Sequence, residues 1–588
     1  MLTRLHDRLG LRTSPQIFFS TSGFVVVFAI IMVVFPDGVA GIFGSLAAWI
    51  TANLGWFYVT AITCMLIFAF SLAMSRYGRI KLGDDDAEPE YSGLAWFGML
   101  FAAGVGAVLM FWGVAEPVTH YADPPMYGVE PQSVQAASDA LGIANFHFGL
   151  HMWGIFIVPG LAFAYFTYKR KLPPRVSSSF QPLLGDGIHG PIGKTIDSVA
   201  VIATIFGLAV SIGQGAMQIN GGLDVMYGIP MSGWLQALIV AVITAAALVS
   251  VVAGMDKGVK RLSYANIFLA IALLLYLLMF GATTEVLKGT VESAGRYLAM
   301  LPTLSFFNTA WGESDWTGTW TVFYFAWTAT WAPFVGMFIA KISRGRTIRE
   351  FVIAVLIIPS LFVLCWIGIM GVNAFRIQRE GGNLVETIVD EGNVPASLFE
   401  FLGHFPLLEL TAVVALVLIT VFFITSLDSG ALVLDAMASG HEDEAPVRQR
   451  VFWTLAVGAI CVSLLLGAGE DALAALQEVI KVIGLPITAM MFVQALMVIQ
   501  AVREDFGGAR PIRTRQWKQV LPLEEYHRRS QDDDVDMSEY TMRPDFEPGT
   551  EPGYETHQPR TWRTERGATG QLPAVQPGDL QRSARDQD

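Results

Sequence analysis

The stretch WTVFYFAWTATWAPFVGMF, residues 320–338, contains no charged side chain and is long enough to cross a membrane as a helix. Its rings lie alternately four and three residues apart, at Trp320, Tyr324, Trp327, Trp331, Phe334 and Phe338. A helix carries residues at these spacings as one stripe. Spacing alone favours ordinary packing, whereas Thr328 in the middle of the rings raises the alternative of a ligand site.

The whole chain has the composition of a polytopic membrane protein. Of its 588 residues, 53% are hydrophobic and only 15% are charged, with a mean hydropathy of +0.49. This is too apolar for a soluble protein of such length. At about 20 residues per crossing, we predict an all-α fold with twelve spans, at approximately residues 17–35, 54–74, 92–114, 146–168, 196–219, 233–254, 262–280, 320–342, 351–375, 410–434, 451–467 and 476–502.

Basic residues in the connections indicate the orientation of the spans. The even-numbered connections contain RYGRIK, YKRKLPPR, KGVKRL, KISRGRTIRE and VRQR, whereas the odd-numbered connections have almost no Lys or Arg. Because basic loops stay in the cytoplasm, both termini are predicted to be cytoplasmic, in a plasma (inner) membrane. The run at 17–35 follows three arginines, but it is long and lacks a small-residue cleavage site, so it is predicted to be a span and not a signal peptide.

Other function classes find little support in the sequence. The three cysteines lie in apolar runs without metal-ligand spacing, so no disulfide framework, zinc site or haem pair is predicted. We find no nucleophile–base pair that would indicate an enzyme. The net charge of −13 is not concentrated in one patch, and no nucleic-acid partner is predicted.

Three segments outside the spans have their own character. Residues 283–301 form an amphipathic pattern typical of a helix lying along the membrane surface. Residues 395–404 predict a short surface helix before the tenth span. Residues 503–588 are polar, with 13 basic and 17 acidic side chains, and predict a disordered cytoplasmic tail without a dense basic run.

The third span contains two glycines at mid-membrane, Gly104 and Gly106, within FAAGVGAVLMFWGVAEP. Each costs about 1 kcal/mol relative to alanine in a helix. Close helix packing through small residues is one explanation. The other is a broken helix, whose free carbonyls bind a cation and whose free amides bind an anionic group.

The tenth span places polar side chains in an apolar run, in VFFITSLDSG. Thr425, Ser426, Asp428 and Ser429 must find partners there. Ser and Thr usually bond carbonyls of their own helix. If they face a broken helix instead, their oxygens suit a small hard cation such as sodium better than a transition metal.

The fourth span, FHFGLHMWGIF, contributes three further rings, Phe148, Trp153 and Phe156. Its His147 and His151 have a helical i, i+4 spacing, but the HExxH glutamate and a third ligand are missing, which argues against a zinc site. Rings within a span usually pack. Together with the stripe at 320–338 they would also form a cage for a methylated cation.

These motifs, with WAPFVGMFIAKISRGRTIREF at 331–351, resemble the betaine/carnitine/choline transporter family over nearly the whole chain up to the tail. The resemblance implies a LeuT-like fold of two inverted five-helix repeats and a homotrimer. It implies the following organisation: residues 1–90 with spans 1–2, 91–281 with the first repeat, 282–318 with an external amphipathic helix, 319–502 with the second repeat, and the tail at 503–588.

The resemblance also implies a sodium site and no other cofactor. Its expected ligands are the carbonyls of Ala102, Val105 and Phe422 and the hydroxyls of Thr425 and Ser426. A second sodium site in some family members uses two threonines on the fifth span and a phenylalanine on the eighth. Here Thr204 and Phe334 match that pattern, but Leu208 replaces a threonine and offers no oxygen, which argues against a second ion.

The substrate residues implied by the resemblance are Gly104, Gly106, Val108, Phe148, Trp153, Phe156, Trp327, Thr328 and Trp331. Compared with betaine carriers, Thr328 replaces a tryptophan, and phenylalanines replace stronger cation–π partners. Val108 stands where choline-selective members have an aspartate, so a zwitterion is favoured over choline.

The sequence therefore predicts sodium-driven import of a zwitterionic, betaine-like solute. Glycine betaine, a less methylated glycine, a sulfonium analogue, ectoine and a proline-like amino acid all remain open. The alternative is a sodium-independent exchanger or a proton-coupled importer that uses Asp428 or Glu116 as proton carrier. Retention of Thr425 and Ser426 favours sodium.

Overall fold

The computed structural model describes residue 6 and residues 10–102, 106–253, 256–312, 314–441, 446–468, 471–507, 519–521 and 540–542. At residues 94, 101–102, 106–107 and 256–261, and in the last two segments, it describes the backbone alone. The predicted residues Gly104 and Val105 lie outside this description.

The described chain is almost entirely helical, as predicted. Its principal helices are α1 (Pro15–Val34), α2 (Pro36–Met74), α3 (Gly93–Ala102), α4 (Gly106–Ala122), α5 (Val134–Phe148), α6 (Leu150–Phe163), α7 (Pro191–Tyr227), α8 (Gly233–Ala253), α9 (Asp256–Phe280), α10 (Thr283–Leu304), α11 (Phe323–Ile342), α12 (Ile348–Arg379), α13 (Ser397–Gly403), α14 (Leu408–Ser439), α15 (Val447–Gly467) and α16 (Ala472–Phe506). In the separate unit at 516–588, strand β1 (Gln519–Leu521) pairs in parallel with β2 (Tyr540–Met542).

Within the described residues, 11 helices are long and apolar enough to cross a membrane. They match every predicted span except the third, which corresponds to the shorter pair α3 and α4. The all-α membrane fold is therefore confirmed. Many helices extend beyond the predicted apolar runs because helical hydrogen bonding continues into the polar flanks; α2, for example, begins at Pro36, where the missing N–H costs nothing.

Two predicted elements differ in detail. The fourth span is not one regular helix, because α5 ends at Phe148 and α6 begins at Leu150, with Gly149 between them at φ −92° and ψ −127°. The predicted surface helix at 395–404 appears as α13, but its Leu398, Phe399 and Phe401 are fully buried. They pack inward because α7 provides a glycine, Gly222, opposite the Phe399 ring.

Glycines also set the distance between α6 and α11. A methyl group on Gly336 of α11 would lie 2.9 Å from the backbone nitrogen of Gly160 on α6 and equally close to Pro159. Backbone atoms cannot move aside as a flexible side chain does. This close approach holds the ring stripe of α11 against the fourth span.

We predict that Gly336→Ala lowers the melting temperature of the detergent-solubilised protein, because the added methyl group forces α6 and α11 apart. Overpacking of this kind costs about 1–3 kcal/mol. Gly23→Ala is the matched control, since no atom of the described residues lies within 4 Å of a methyl group there. Equal melting temperatures for the two variants, measured by thermal unfolding, would contradict the close packing.

Candidate functional site

Two tryptophans of the stripe share one hydroxyl group. The Trp327 and Trp331 indole N–H groups donate to Ser211 Oγ of α7 at 2.9 and 3.0 Å. Ser211 in turn donates to the Gly207 carbonyl at 3.0 Å, and Trp331 also donates to that carbonyl. The Ser211 hydroxyl therefore fixes the orientation of Trp327 and Trp331, both of which are predicted substrate contacts. The sequence did not identify Ser211, because a lone serine in a span usually bonds its own helix.

Gly207 makes this arrangement sterically possible. A methyl group at Gly207 would lie 2.6 Å from Thr330 Oγ1 and 3.0 Å from the Trp331 ring. Without side-chain atoms at this position, α11 approaches the backbone of α7 closely enough for an indole to reach a main-chain carbonyl. Thr328 lies in the same helix and is buried.

The structure divides the rings of the fourth span into two groups. Phe148 meets the Tyr324 ring edge-on at 4.9 Å, and Tyr324 lies 6.4 Å from Trp327, which connects Phe148 to the stripe. Trp153 and Phe156 instead form an edge-to-face pair at 5.5 Å. The ring contacts found in the described chain do not join this second pair to Trp327 or Trp331.

The interruption at Gly149 separates these groups. It leaves the Leu150 backbone N–H without a regular helical partner, and the Tyr297 hydroxyl of α10 accepts that hydrogen bond at 3.1 Å. Irregular backbone in a membrane interior requires such a partner. The sequence offered a weak signal for it, a glycine between two aromatic clusters.

Polar atoms without a partner occur on α6 and on α7. The Trp153 indole N–H and both amide atoms of Gln214 are buried and have no partner in the described structure. On α7, Gln214 lies between Ser211, which faces α11, and Gln218, whose amide donates to the Met110 carbonyl of α4. A glutamine within an apolar span was visible in the sequence as a candidate functional residue, and it was missed.

The predicted sodium ligands are only partly described. Val105 falls outside the described residues, and only the backbone of Ala102 is described. Of the neighbouring substrate residues, Gly104 also falls outside, Gly106 is described by its backbone alone, and Val108 is buried. On α14, Thr425 Oγ1 donates to the Val421 and Phe422 carbonyls at 2.9 and 3.0 Å. Two of the five predicted oxygens therefore lie side by side, on a helix that packs against α4.

The residues predicted for a second cation are used differently. Thr204 donates to the Ala200 carbonyl of its own helix at 2.9 Å. Leu208 fills the space that Gly430 leaves on α14, where a methyl group would lie 2.6 Å from its side chain. Phe334 packs edge-on against Trp331 at 5.6 Å. Leu208 has a packing role and supplies no oxygen.

Known proteins resemble this chain over most of its length. Residues 16–507 match the model described as betaine/carnitine/choline family transporter. The chain is 44% identical over 516 residues to the ectoine/glycine betaine/proline transporter of Corynebacterium glutamicum, with 87% of this chain and 84% of that protein covered. It is 40% identical to the glycine betaine transporter of Acinetobacter baylyi, with 87% and 78% covered.

A third relative, the glycine betaine/proline/choline transporter of Vibrio parahaemolyticus, is 37% identical, with 84% of this chain and 91% of that protein covered. Among solved structures, a mutant manganese transporter of Eremococcus coleocola is similar with a TM-score of 0.36 and 13% identity, covering 72% of this chain and 91% of that chain. That likeness is too weak to support any conclusion.

We predict that Ser211→Ala destabilises the protein, because the Trp327 N–H loses its acceptor inside an apolar interior. An unpaired buried donor costs about 1–3 kcal/mol. The matched control is Ser463→Ala on α15, whose buried hydroxyl bonds only a carbonyl of its own helix, Ile460. Thermal unfolding and intrinsic tryptophan fluorescence would reveal the difference; identical spectra and stabilities for the two variants would disprove the role of Ser211.

Proposed function

Because the chain belongs to the betaine/carnitine/choline transporter family, we propose that it is a secondary transporter that imports a small zwitterionic compatible solute by sodium symport. The observation that carries this proposal is the pair of indoles that Ser211 holds beside the amide of Gln214, which has no partner among the described residues. Indole faces attract an onium group, and an amide N–H binds a carboxylate. A zwitterionic solute carries an onium group and a carboxylate, so it needs both kinds of contact.

The substrate class follows from the relatives and from the altered rings. Glycine betaine appears in the names of all three relatives above, and ectoine and proline also appear in the name of the first. In this chain, Thr328 and the two phenylalanines Phe148 and Phe156 leave fewer strong cation–π partners. We therefore place ectoine and proline beside glycine betaine as substrates, with the onium group against Trp153, Trp327 and Trp331.

Sodium would bind where α14 faces the third span. The Phe422 carbonyl and the Thr425 hydroxyl lie side by side, and hard oxygen ligands of this kind suit a sodium ion. Ser426, Ala102 and Val105 would complete the set, and the amides near Gly104 and Gly106 would face the solute carboxylate. Coupling follows if ion and solute stabilise the same conformation, because each shifts the equilibrium only through its differential affinity.

Orientation and assembly belong to the same proposal. The basic connections support a plasma (inner) membrane location with both termini in the cytoplasm. The family supports a homotrimer of LeuT-like subunits built from two inverted repeats.

Of the two carboxylates considered as proton carriers, Asp428 pairs with Arg450 at 3.2 Å, which supports a structural role for Asp428.

Sodium coupling can be tested with labelled glycine betaine, ectoine and proline in proteoliposomes. We expect accumulation of the solute against its own concentration gradient to require an inward sodium gradient. In Ser426→Ala, the sodium concentration for half-maximal uptake should rise about tenfold, since one ion–oxygen contact contributes about 1.5 kcal/mol. Ser429→Ala, a neighbouring hydroxyl outside the predicted ligand set, is the control. Uptake that is equal without sodium would refute symport.

Solute recognition by Gln214 can be tested separately. We predict that Gln214→Leu raises the KM for the solute about tenfold at unchanged sodium dependence, because the leucine has no group for a carboxylate. Gln236→Leu on α8 is the control, since it also removes a buried amide with an unpaired oxygen. If Gln214→Leu only raises the melting temperature and leaves KM unchanged, its amide does not contact the solute.

A further inference from the structure

A fully buried polar cluster lies next to the aromatic stripe. We call Glu116 and His120 of α4 and His147 of α5 the carboxylate–imidazole cluster; their exposed fractions are 0, 1 and 1%. His147 Nδ1 lies 2.6 Å from Glu116 Oε1, and His120 Nε2 lies 3.5 Å from the same oxygen. The i, i+4 histidine pair of the fourth span is therefore separated, because His147 bonds Glu116, whereas His151 bonds Ser305.

The ligand atoms of this cluster lie within 4.8 Å of one another, a grouping that raises the alternative of a metal ion. The Trp316 indole N–H points at His120 Nδ1, 3.4 Å away. An indole nitrogen only donates, so Nδ1 accepts, and neutral His120 carries its proton on Nε2. The nitrogen that faces Glu116 then has no lone pair for a metal.

His147 is arranged to exist in two protonation states. Its Nδ1–H donates to the carboxylate of Glu116, and its Nε2 lies 3.0 Å from Thr321 Oγ1. A hydroxyl both donates and accepts. Neutral His147 accepts from Thr321, and protonated His147 donates to it, so rotation of one O–H bond satisfies both states.

Thr321 belongs to a π-helical turn, Thr317–Val322, that precedes α11. Such turns occur frequently at functional sites. Several other threonines of the spans, including Thr204 and Thr425, donate to carbonyls of their own helices. The irregular turn instead directs the Thr321 hydroxyl to His147.

Proton uptake changes the charge of the cluster. With His147 neutral, no cation among the described residues pairs with the buried Glu116 carboxylate, which is costly in an apolar interior. One proton on His147 makes the cluster neutral. The other titratable groups that face it are Tyr324 of α11, His151 of α6 and Asp123 just after α4. From α7 and α12, the uncharged Gln218 and Trp366 contact α4.

Tyr324 connects the cluster to the proposed solute site. Its ring lies 4.8 Å from His147, 4.9 Å from Phe148 and 6.4 Å from Trp327. Its hydroxyl faces Glu116, and no described residue is its partner at hydrogen-bonding geometry. A change of charge at the cluster therefore acts on a ring that packs against the solute site.

We propose that the carboxylate–imidazole cluster is a proton-binding site, and that one proton bound at His147 Nε2 enters with each solute molecule as a second coupling ion. The coupling rests on the solute import proposed above. Proton binding at the cluster does not depend on solute import. In the proposed orientation, the end of α4 that carries Glu116 and His120 faces outwards, so the proton enters from outside.

Proton binding can be measured without solute or transport. In the full-length protein labelled with ¹⁵N-histidine, we expect one buried imidazole signal to change from neutral to imidazolium as the pH is lowered. The signal should be absent in His147→Gln and present in His151→Gln. If the His147 signal keeps one protonation state at every pH at which the protein stays folded, the site does not exist.

Thr321→Val tests the hydroxyl partner with little change of shape. The protonated His147 loses its acceptor, so its titration should move to lower pH by about one to two units. A structural role for Thr321 would change stability and leave the titration midpoint in place. An unchanged midpoint would overturn the assignment of Nε2 as the site of uptake.

Coupling can be measured in vesicles that contain the pH-sensitive dye pyranine, with equal sodium on both sides and a clamped membrane potential. Addition of glycine betaine, ectoine or proline should acidify the lumen by about one proton per solute molecule. The number of protons per solute should fall to zero in His147→Gln but not in His151→Gln. Solute entry without acidification overturns coupling and leaves solute import standing. If no solute of the panel enters while His147 still titrates, solute import and coupling fail and the proton site stands.

Discussion

A polar group in the apolar interior of a membrane protein must find its partner within the protein, and each irregular feature of this chain obeys that constraint. The Leu150 N–H, released where the fourth span is interrupted, bonds Tyr297. The indoles of Trp327 and Trp331 meet at Ser211. The amide atoms of Gln214 have no partner among the described residues, and a solute in the proposed site would supply one.

The number and sequence of the spans could be predicted from hydropathy and basic loops because a bilayer imposes a fixed length and a charge asymmetry. The stripe on α11 followed from spacing alone. The separate roles of its rings did not follow from spacing. The spacing favours ordinary packing for Trp320, yet its ring lies 4.6 Å from His120 and lines the carboxylate–imidazole cluster.

Contacts between residues distant in the chain account for what the sequence did not reveal. Glu116 and His147 are 31 residues apart, and Ser211 and Trp327 are 116 apart, so no local pattern joins them. The burial of α13 depends in the same way on a glycine of α7. Local periodicity predicts which face of a helix is buried, but only tertiary packing decides which polar groups on that face meet.

The hydrogen bond between Tyr297 and Leu150 has a consequence for access from outside the membrane. It joins α10, whose Leu298 side chain is 62% exposed, directly to the interruption in the fourth span. Arg296, which precedes Tyr297 in the chain, pairs with the buried Asp139 of α5. A nanobody or lipid headgroup that displaces α10 would therefore also displace the span that carries His147 and Phe148, without entering the transport pathway.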